Sequence, residues 1–510
     1  MHGLGESVMF DNFTFNAETV VFILYLLFML GIGVYFFIRS KEGGEKGYFL
    51  GGRQMGPWVS ALSAGASDMS AWVLMGLPAS VYALGLGEAW IAIGLGLGYA
   101  LSWIFQAPRL RRYSIAAKDS ITIPQYLTNR FLSANRSLQI ICAVIFIVAY
   151  TIYAASSIKA CGTLFNQVIG IDSTVAMYIA AAIIISYTFL GGFSAVCWTD
   201  FFQGLLMLGA LLIAPIFALF VKNGSSAGLA PENLGDGYWN MFSDWKSIIS
   251  GLGWGLGYFG MPHIIIRFMS LKSDKAVKKS AVIGISWTVL ILIFSVGAGV
   301  VAHLFSDKIT AQGVKDGTIF ITMVRQLFPA ILSGLLLSAI LAAAMSTADS
   351  QLLASSSAFA SDVYKPIFRK NKASEKEMLW AGRIVVLIIS LVAVFIASNP
   401  NSGTIMSLVE NAWGVFGAAF GPTILLSLFW RRFNFSGAVA GILTGAAVDI
   451  LWLILINNKA LVPALSGIYE IIPGFILSFI VAVVVSLVTK APEKEVTDLF
   501  DKVASKEEIL

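Results

Sequence analysis

The chain reads as an all-α integral membrane protein of about 13 transmembrane helices, with two five-helix repeats of opposite orientation at its centre. Three observations lead there. Hydrophobic residues make up 57% of the chain and charged residues 12%, more apolar surface than a soluble protein of this length can bury. Runs near the roughly 20 residues that span a bilayer recur from end to end. Within them stand Asp68, Asp200 and Asp349, and a carboxylate in hydrocarbon is costly unless it faces a cavity, an ion or a partner.

The spans fall near 19–38, 57–83, 88–106, 138–165, 173–190, 194–221, 247–266, 280–303, 318–358, 380–398, 405–429, 435–456 and 471–489. Residues 1–18 lack Lys and Arg, so the first span reads as a retained helix and not a cleaved signal. The second reads SALSAGASDMSAWVLMGLP, small and polar around Asp68. The third carries Gly94, Gly96 and Gly98, suited to close helix packing. Lys159 in the fourth snorkels to the interface. The sixth includes Asp200, at the end of FLGGFSAVCWTD. The seventh reads SGLGWGLGYFGMPH, with five glycines and Pro262 before His263. The ninth run is too long for one crossing and is expected to continue as a cytoplasmic helix. It carries LAAAMSTADSQLLASSS. The remaining spans read as packing helices. Glu410 and Asp449 read as structural or interfacial, His263 as structural, and His2 and His303 as peripheral. Cys142, Cys161 and Cys197 have no metal spacing and read as free core thiols.

Positive charge fixes the expected orientation. The loops after the first, third, seventh, ninth and eleventh spans, with the C-terminal tail, hold 27 of the 34 Lys and Arg residues. The positive-inside rule then puts the N-terminus outside and the C-terminus in the cytoplasm. The net charge of +5 is spread over these membrane-end loops and is no sign of nucleic acid. The second and seventh spans both read as interrupted, lie five helices apart and run in opposite inferred directions. Paired interruptions of this kind mark inverted repeats with a site at the midplane. The expected organisation is a first helix and loop (1–56), a first repeat (57–222), an extracellular loop (223–246), a second repeat (247–432), two peripheral helices (433–490) and a cytoplasmic tail (491–510).

A broken helix frees backbone carbonyls that need partners in a dry setting. A small hard cation such as sodium takes such oxygens. Around the second-span break the candidates are the carbonyls of Ala66 and Met69. On the ninth span Ala343, Ser346 and Thr347 share one face at i, i+3 and i+4. The competing reading is that the two hydroxyls bond back to their own helix. Asp68 either supports a cation or caps the second half of its helix. Asp200 either joins Asp349 and Ser350 in a second cation or proton site, or makes a structural bond to a hydroxyl. Trp254, Tyr258 and Pro262, four residues apart, with Tyr153, either wall a pocket for a small zwitterion or are ordinary core aromatics.

On these residues the chain resembles the sodium:solute symporter family. The similarity runs through YFLGGR (48–53), the second-span block (60–78), FLGGFSAVCWTD (189–200), GWGLGYFGMPHIIIRFM (253–269), LLLSAILAAAMSTADSQLL (335–353) and AWGVFGAAFGP (412–422). The second- and seventh-span blocks resemble the proline branch rather than the sugar or sialic acid branches. The resemblance implies a LeuT-type fold of five plus five helices and sodium-coupled uptake in a bacterial cytoplasmic membrane. It implies a co-transported sodium ion held by Ala66, Met69, Ala343, Ser346 and Thr347, with Asp68 in support. It implies a proline pocket of Tyr153, Trp254, Tyr258 and Pro262. Asp200 matches an acidic position that some relatives use for a second sodium beside serines, where this chain has Asp349 and then Ser350. One sodium per solute is therefore expected. The implied partners are the solute and the bilayer, with no nucleic acid and no obligatory protein. A channel, a membrane sensor and an enzyme are the competing classes; paired broken helices and the lack of a nucleophile or metal constellation count against them.

Overall fold

The computed structural model describes residues 16–39, 45–221, 237–303, 311–458 and 461–505. His2 and most of the 223–246 loop lie outside the described residues. Among the described residues, ten helices are long and apolar enough to cross a membrane.

In chain order the main helices are α1 (Ala17–Arg39), α2 (Pro57–Asp68), α3 (Gly76–Leu84), α4 (Leu86–Ala116) and α5 (Ser137–Ile169). Then come α6 (Ser173–Val221), bent at Gly192 where φ is 60°, α7 (Trp245–Gly253), α8 (Pro262–Ser270) and α9 (Asp274–Val301). The chain closes with α10 (Ala330–Ser357), α11 (Glu375–Ser398), α12 (Ile405–Phe429), α13 (Phe435–Leu451), α14 (Ile471–Val488) and α15 (Lys494–Ala504).

The two interruptions are real. Between α2 and α3 the backbone leaves the helix at Met69 (ψ 71°) and is extended at Ser70, before a 3-10 turn at Ala71–Val73. Between α7 and α8 it tightens to a 3-10 helix over Trp254–Phe259 and is extended at Met261. Pro262 opens α8 at its first position, where the missing N–H is no loss. The broken pair run antiparallel. Met55, just before α2, pairs in an isolated parallel bridge with Leu271, just after α8. At the other end Leu86 N, just past α3, donates to Tyr238 O, ahead of α7, at 2.8 Å.

Glycines bring α4 close against α7 and the 3-10 segment that follows it. A Cβ on Gly98 would lie 2.1 Å from Gly255 O, and one on Gly94 2.2 Å from Gly251 O. Backbone cannot yield as a side chain can, so these positions exclude any larger residue. Gly96 meets nothing closer than Leu292 at 3.9 Å and takes no part.

The structure corrects three expectations. The 318–358 run is not one helix: it divides into Ile319–Leu327 and α10, because Phe328 is extended ahead of Pro329, as the residue before a proline tends to be. Arg53, Arg130 and Arg267, counted above with loop cations, are all buried. The helix after the last interhelical loop, α14, is not remote from the centre: a Cβ on Gly417 would meet Ile471 at 2.4 Å, and one on Gly253 would meet Ile472 at 2.7 Å. Cys142, Cys161 and Cys197 are free and buried.

Candidate functional site

Each break releases carbonyls, and the structure supplies a donor to most of them. Trp254 O accepts from Trp413 Nε1 (2.8 Å), Tyr258 O from Ser102 Oγ (3.4 Å) and Phe259 O from Gln106 Nε2 (3.1 Å). At the other break Asp68 O accepts from Tyr153 Oη and Trp72 Nε1, both at 3.3 Å. Unwound backbone is tolerated inside a membrane protein on these terms.

The carbonyl of Ala66 is met from α10. Ser346 Oγ donates to Ala66 O at 2.8 Å and to Ala343 O at 3.1 Å. The single hydroxyl proton is thus shared between the bond across to the break, the shorter one, and the back-bond to its own helix. Thr347 Oγ1 is buried and has no hydrogen-bond partner among the described residues. Met69 is buried at the break itself. Three of the five residues expected to hold sodium are thus bonded together, and Thr347 adds a buried hydroxyl oxygen left over. The set is neutral, suited to a hard monovalent ion. Among the described residues no group of three or more His, Cys, Asp or Glu is placed to hold a metal.

Asp68 does not cap the following helix. That bond belongs to Ser70, whose Oγ accepts from Trp72 N at 3.5 Å. The Asp68 carboxylate instead crosses to the other break, where Tyr258 Oη donates to Oδ2. Its Oδ1 has no hydrogen-bond partner among the described residues. The carboxylate assigned to the ion and the phenol assigned to the solute are therefore one bonded unit.

The aromatics form a cluster and not a stripe. Residues four apart share a face in an α-helix, but a 3-10 helix has three residues per turn, so Trp254 and Tyr258 point apart. Both still touch Trp413: centroids are 6.3 Å apart for Trp254 and 5.1 Å for Tyr258, the latter edge-on. Trp254 also faces Trp72 at 6.3 Å and Tyr469 at 5.1 Å. Tyr99 packs edge-on to Tyr258 at 5.1 Å. Pro262 is buried beside this cluster's chain break. Sequence reasoning did not single out Trp72, Tyr99, Trp413 or Tyr469. Trp72 stands inside the quoted second-span block and Trp413 inside AWGVFGAAFGP, so both were within reach. Tyr469 lies beside no motif.

A second, charged cluster lies around Asp200. Ser63 Oγ donates to Asp200 Oδ2 at 2.6 Å, the structural bond to a hydroxyl that was one of its two readings. Arg267 Nη2 forms an ion pair with the same carboxylate at 3.1 Å. That nitrogen also donates to Ser350 Oγ at 2.6 Å, and Ser350 Oγ donates to Asp349 Oδ1 at 3.3 Å. Arg267, which sequence reasoning placed in a loop, is the missing member. Breaking a buried pair of this kind by removing one partner costs about 3–5 kcal/mol.

Comparison with known proteins agrees with this architecture. The sodium:solute symporter family matches residues 48–445. Sodium/proline symporter 2 of Staphylococcus saprophyticus subsp. saprophyticus is 45% identical over 493 residues, covering 95% of both chains. The sodium/proline symporter of Staphylococcus aureus is 45% identical over 487 residues, 94% of both. Among solved structures, a substrate-bound, outward-open Na+-coupled sialic acid symporter superposes with a TM-score of 0.75 at 21% identity, over 94% of this chain and 99% of that one. Mhp1, a nucleobase-cation-symport-1 family transporter in a closed conformation, follows at a TM-score of 0.53 and 14% identity, over 89% and 98%. These two likenesses concern the fold, which is that of LeuT-like transporters. This chain is a multi-pass membrane transporter and not an enzyme: it belongs to the sodium:solute symporter family.

Proposed function

We propose that the chain couples the entry of sodium to the uptake of L-proline by alternating access. Family membership supports the sodium coupling, and the names of the Staphylococcus relatives support proline. In this reading the chain has thirteen spans, counting the two broken helices and dividing α6 at Gly192. Its N-terminus is outside and its C-terminus is in the cytoplasm. The repeats are 57–222 and 247–432, and 1–56, 223–246, 433–490 and 491–510 are the flanking and connecting segments.

Sodium binds the oxygens of Ala66, Met69, Ala343, Ser346 and Thr347. To accept it, Ser346 turns its proton away from Ala66 O, and the ion replaces that hydrogen bond as the link between α2 and α10. The Asp68 carboxylate lowers the cost of the charge. Proline binds against Trp254, Tyr258, Tyr153 and Pro262.

The observation that carries the coupling is the Tyr258–Asp68 hydrogen bond. Sodium holds the end of α2, Asp68 follows two residues after Ala66, and Asp68 holds the rings of the pocket through Tyr258 and Tyr153. An ion that orders the break therefore pre-forms the solute walls. By linkage, bound solute strengthens sodium to the same degree. Sodium must favour the outward, pocket-formed state and solute must favour occlusion and inward opening, or no gradient is transmitted. One charge falling through about 100 mV releases roughly 2.3 kcal/mol, and a tenfold sodium gradient adds about 1.4 kcal/mol. Together, about 3.7 kcal/mol sustains a solute gradient of several hundredfold.

The test is labelled-proline uptake into proteoliposomes. Accumulation above the external level under an inward sodium gradient, abolished when the gradient is dissipated, is the expected result. Equilibration without accumulation would mean a channel. Sodium-driven accumulation of another small zwitterion, with proline ignored, would keep the mechanism and replace the solute.

A further inference from the structure

We infer that Arg267 is a second cation of the transport site, carried by the chain itself. It stands between Asp200 and Ser350 where a mobile ion would otherwise be drawn, and it limits coupling to one sodium. The inference rests on the sodium-symport reading and extends it to stoichiometry.

Three features support it. A single nitrogen, Nη2, spans Asp200 Oδ2 on α6 and Ser350 Oγ on α10, as a metal ion bridges oxygens from two helices. The other guanidinium nitrogens meet Ser63 Oγ on α2, at 3.1 Å from Nε, and His263 O on α8, from Nη1. Oxygens from four helices thus converge on one positive group that is 1% exposed. Arginine stays charged at every cellular pH. A sodium ion added beside the same carboxylate would meet a like charge within a few ångströms, which disfavours it. Asp200 Oδ1 has no hydrogen-bond partner among the described residues, so the carboxylate keeps an open side once the guanidinium is gone.

A helix staple would make many of the same contacts, so the test reads ion number and not stability. Equilibrium binding of radiolabelled sodium to the purified full chain, without solute, counts the sites. The native chain is expected to bind one sodium. Arg267→Gln binds two, with the Hill coefficient of the sodium response rising from about 1 to about 2. Adding Asp200→Asn to Arg267→Gln removes both charges and restores one. Arg267→Lys, which keeps the charge, stays at one. Two sodium ions on the native chain, or one on a folded Arg267→Gln protein, would overturn the inference. Should Arg267→Gln not be recovered, Arg267→Ser decides in its place: two ions support the inference and one overturns it. No sodium on the native chain would instead remove the symport reading itself.

Discussion

Ser346 and Ser350 lie four residues, about 6 Å, apart along α10, and they meet opposite kinds of partner. Ser346 faces a backbone carbonyl released by a broken helix, with the spare hydroxyl of Thr347 beside it. Ser350 faces a guanidinium already paired to a carboxylate. The first cluster is all neutral oxygen, and in the proposed reading it takes a cation from solution. The second contains its cation covalently. Similar hydroxyls on one helix face therefore do not make similar surroundings; the charge brought by the opposing helix decides.

The contrast is broken most severely at the first site. Ser346→Ala with Thr347→Ala removes two oxygens, each worth about 1.5–3 kcal/mol toward a charged partner. Sodium affinity should fall by about a hundredfold or more, seen as loss of sodium-driven uptake. Native uptake in that variant would take α10 out of the site.

A smaller effect is expected where the two breaks join. Tyr258→Phe keeps the ring and deletes the bond to Asp68, a loss of about 1.5–3 kcal/mol. Both the sodium and the solute constants should rise by roughly tenfold or more. Asp68→Asn keeps an acceptor for Tyr258 and removes the charge. It should weaken the sodium response far more than solute binding at saturating sodium. A shift in the solute constant alone in Tyr258→Phe would mean that the phenol serves the pocket without reporting on the ion.

The smallest effect belongs to the tail. Asp501 on α15 pairs with exposed Arg431, and its hydrogen bond to that guanidinium holds its carboxyl below the ordinary range. A depressed carboxyl contributes stability above its unfolded value and loses it as pH falls through the folded one. Exposed pairs contribute little and are screened by salt. Asp501→Asn should leave uptake and thermal stability unchanged near neutral pH; a clear loss would give the tail a role beyond the surface.

Much of this was legible in the chain. Hydropathy marks the long apolar helices, because burial in lipid demands apolar side chains whatever the packing. Glycine and small polar residues mark both breaks. Ala343, Ser346 and Thr347 share a face because α10 is an unbroken helix, so spacing suffices. The pocket was less legible. Trp254 and Tyr258 sit in a 3-10 segment, where helical spacing misplaces them, and Trp413 on α12 and Tyr469 just ahead of α14 join the cluster from far along the chain.

Local composition and periodicity thus determined the membrane class, the interrupted helices and the hydroxyl face of α10, since each depends on residues near in sequence. Which charges meet was decided by the tertiary structure alone. Arg267 has the look of a membrane-end cation until α2, α6 and α10 close around it, and Asp68 has the look of a helix cap until Tyr258 arrives from a segment 190 residues away. Electrostatic partnership depends on distance through space, and distance through space is set only when the helices pack.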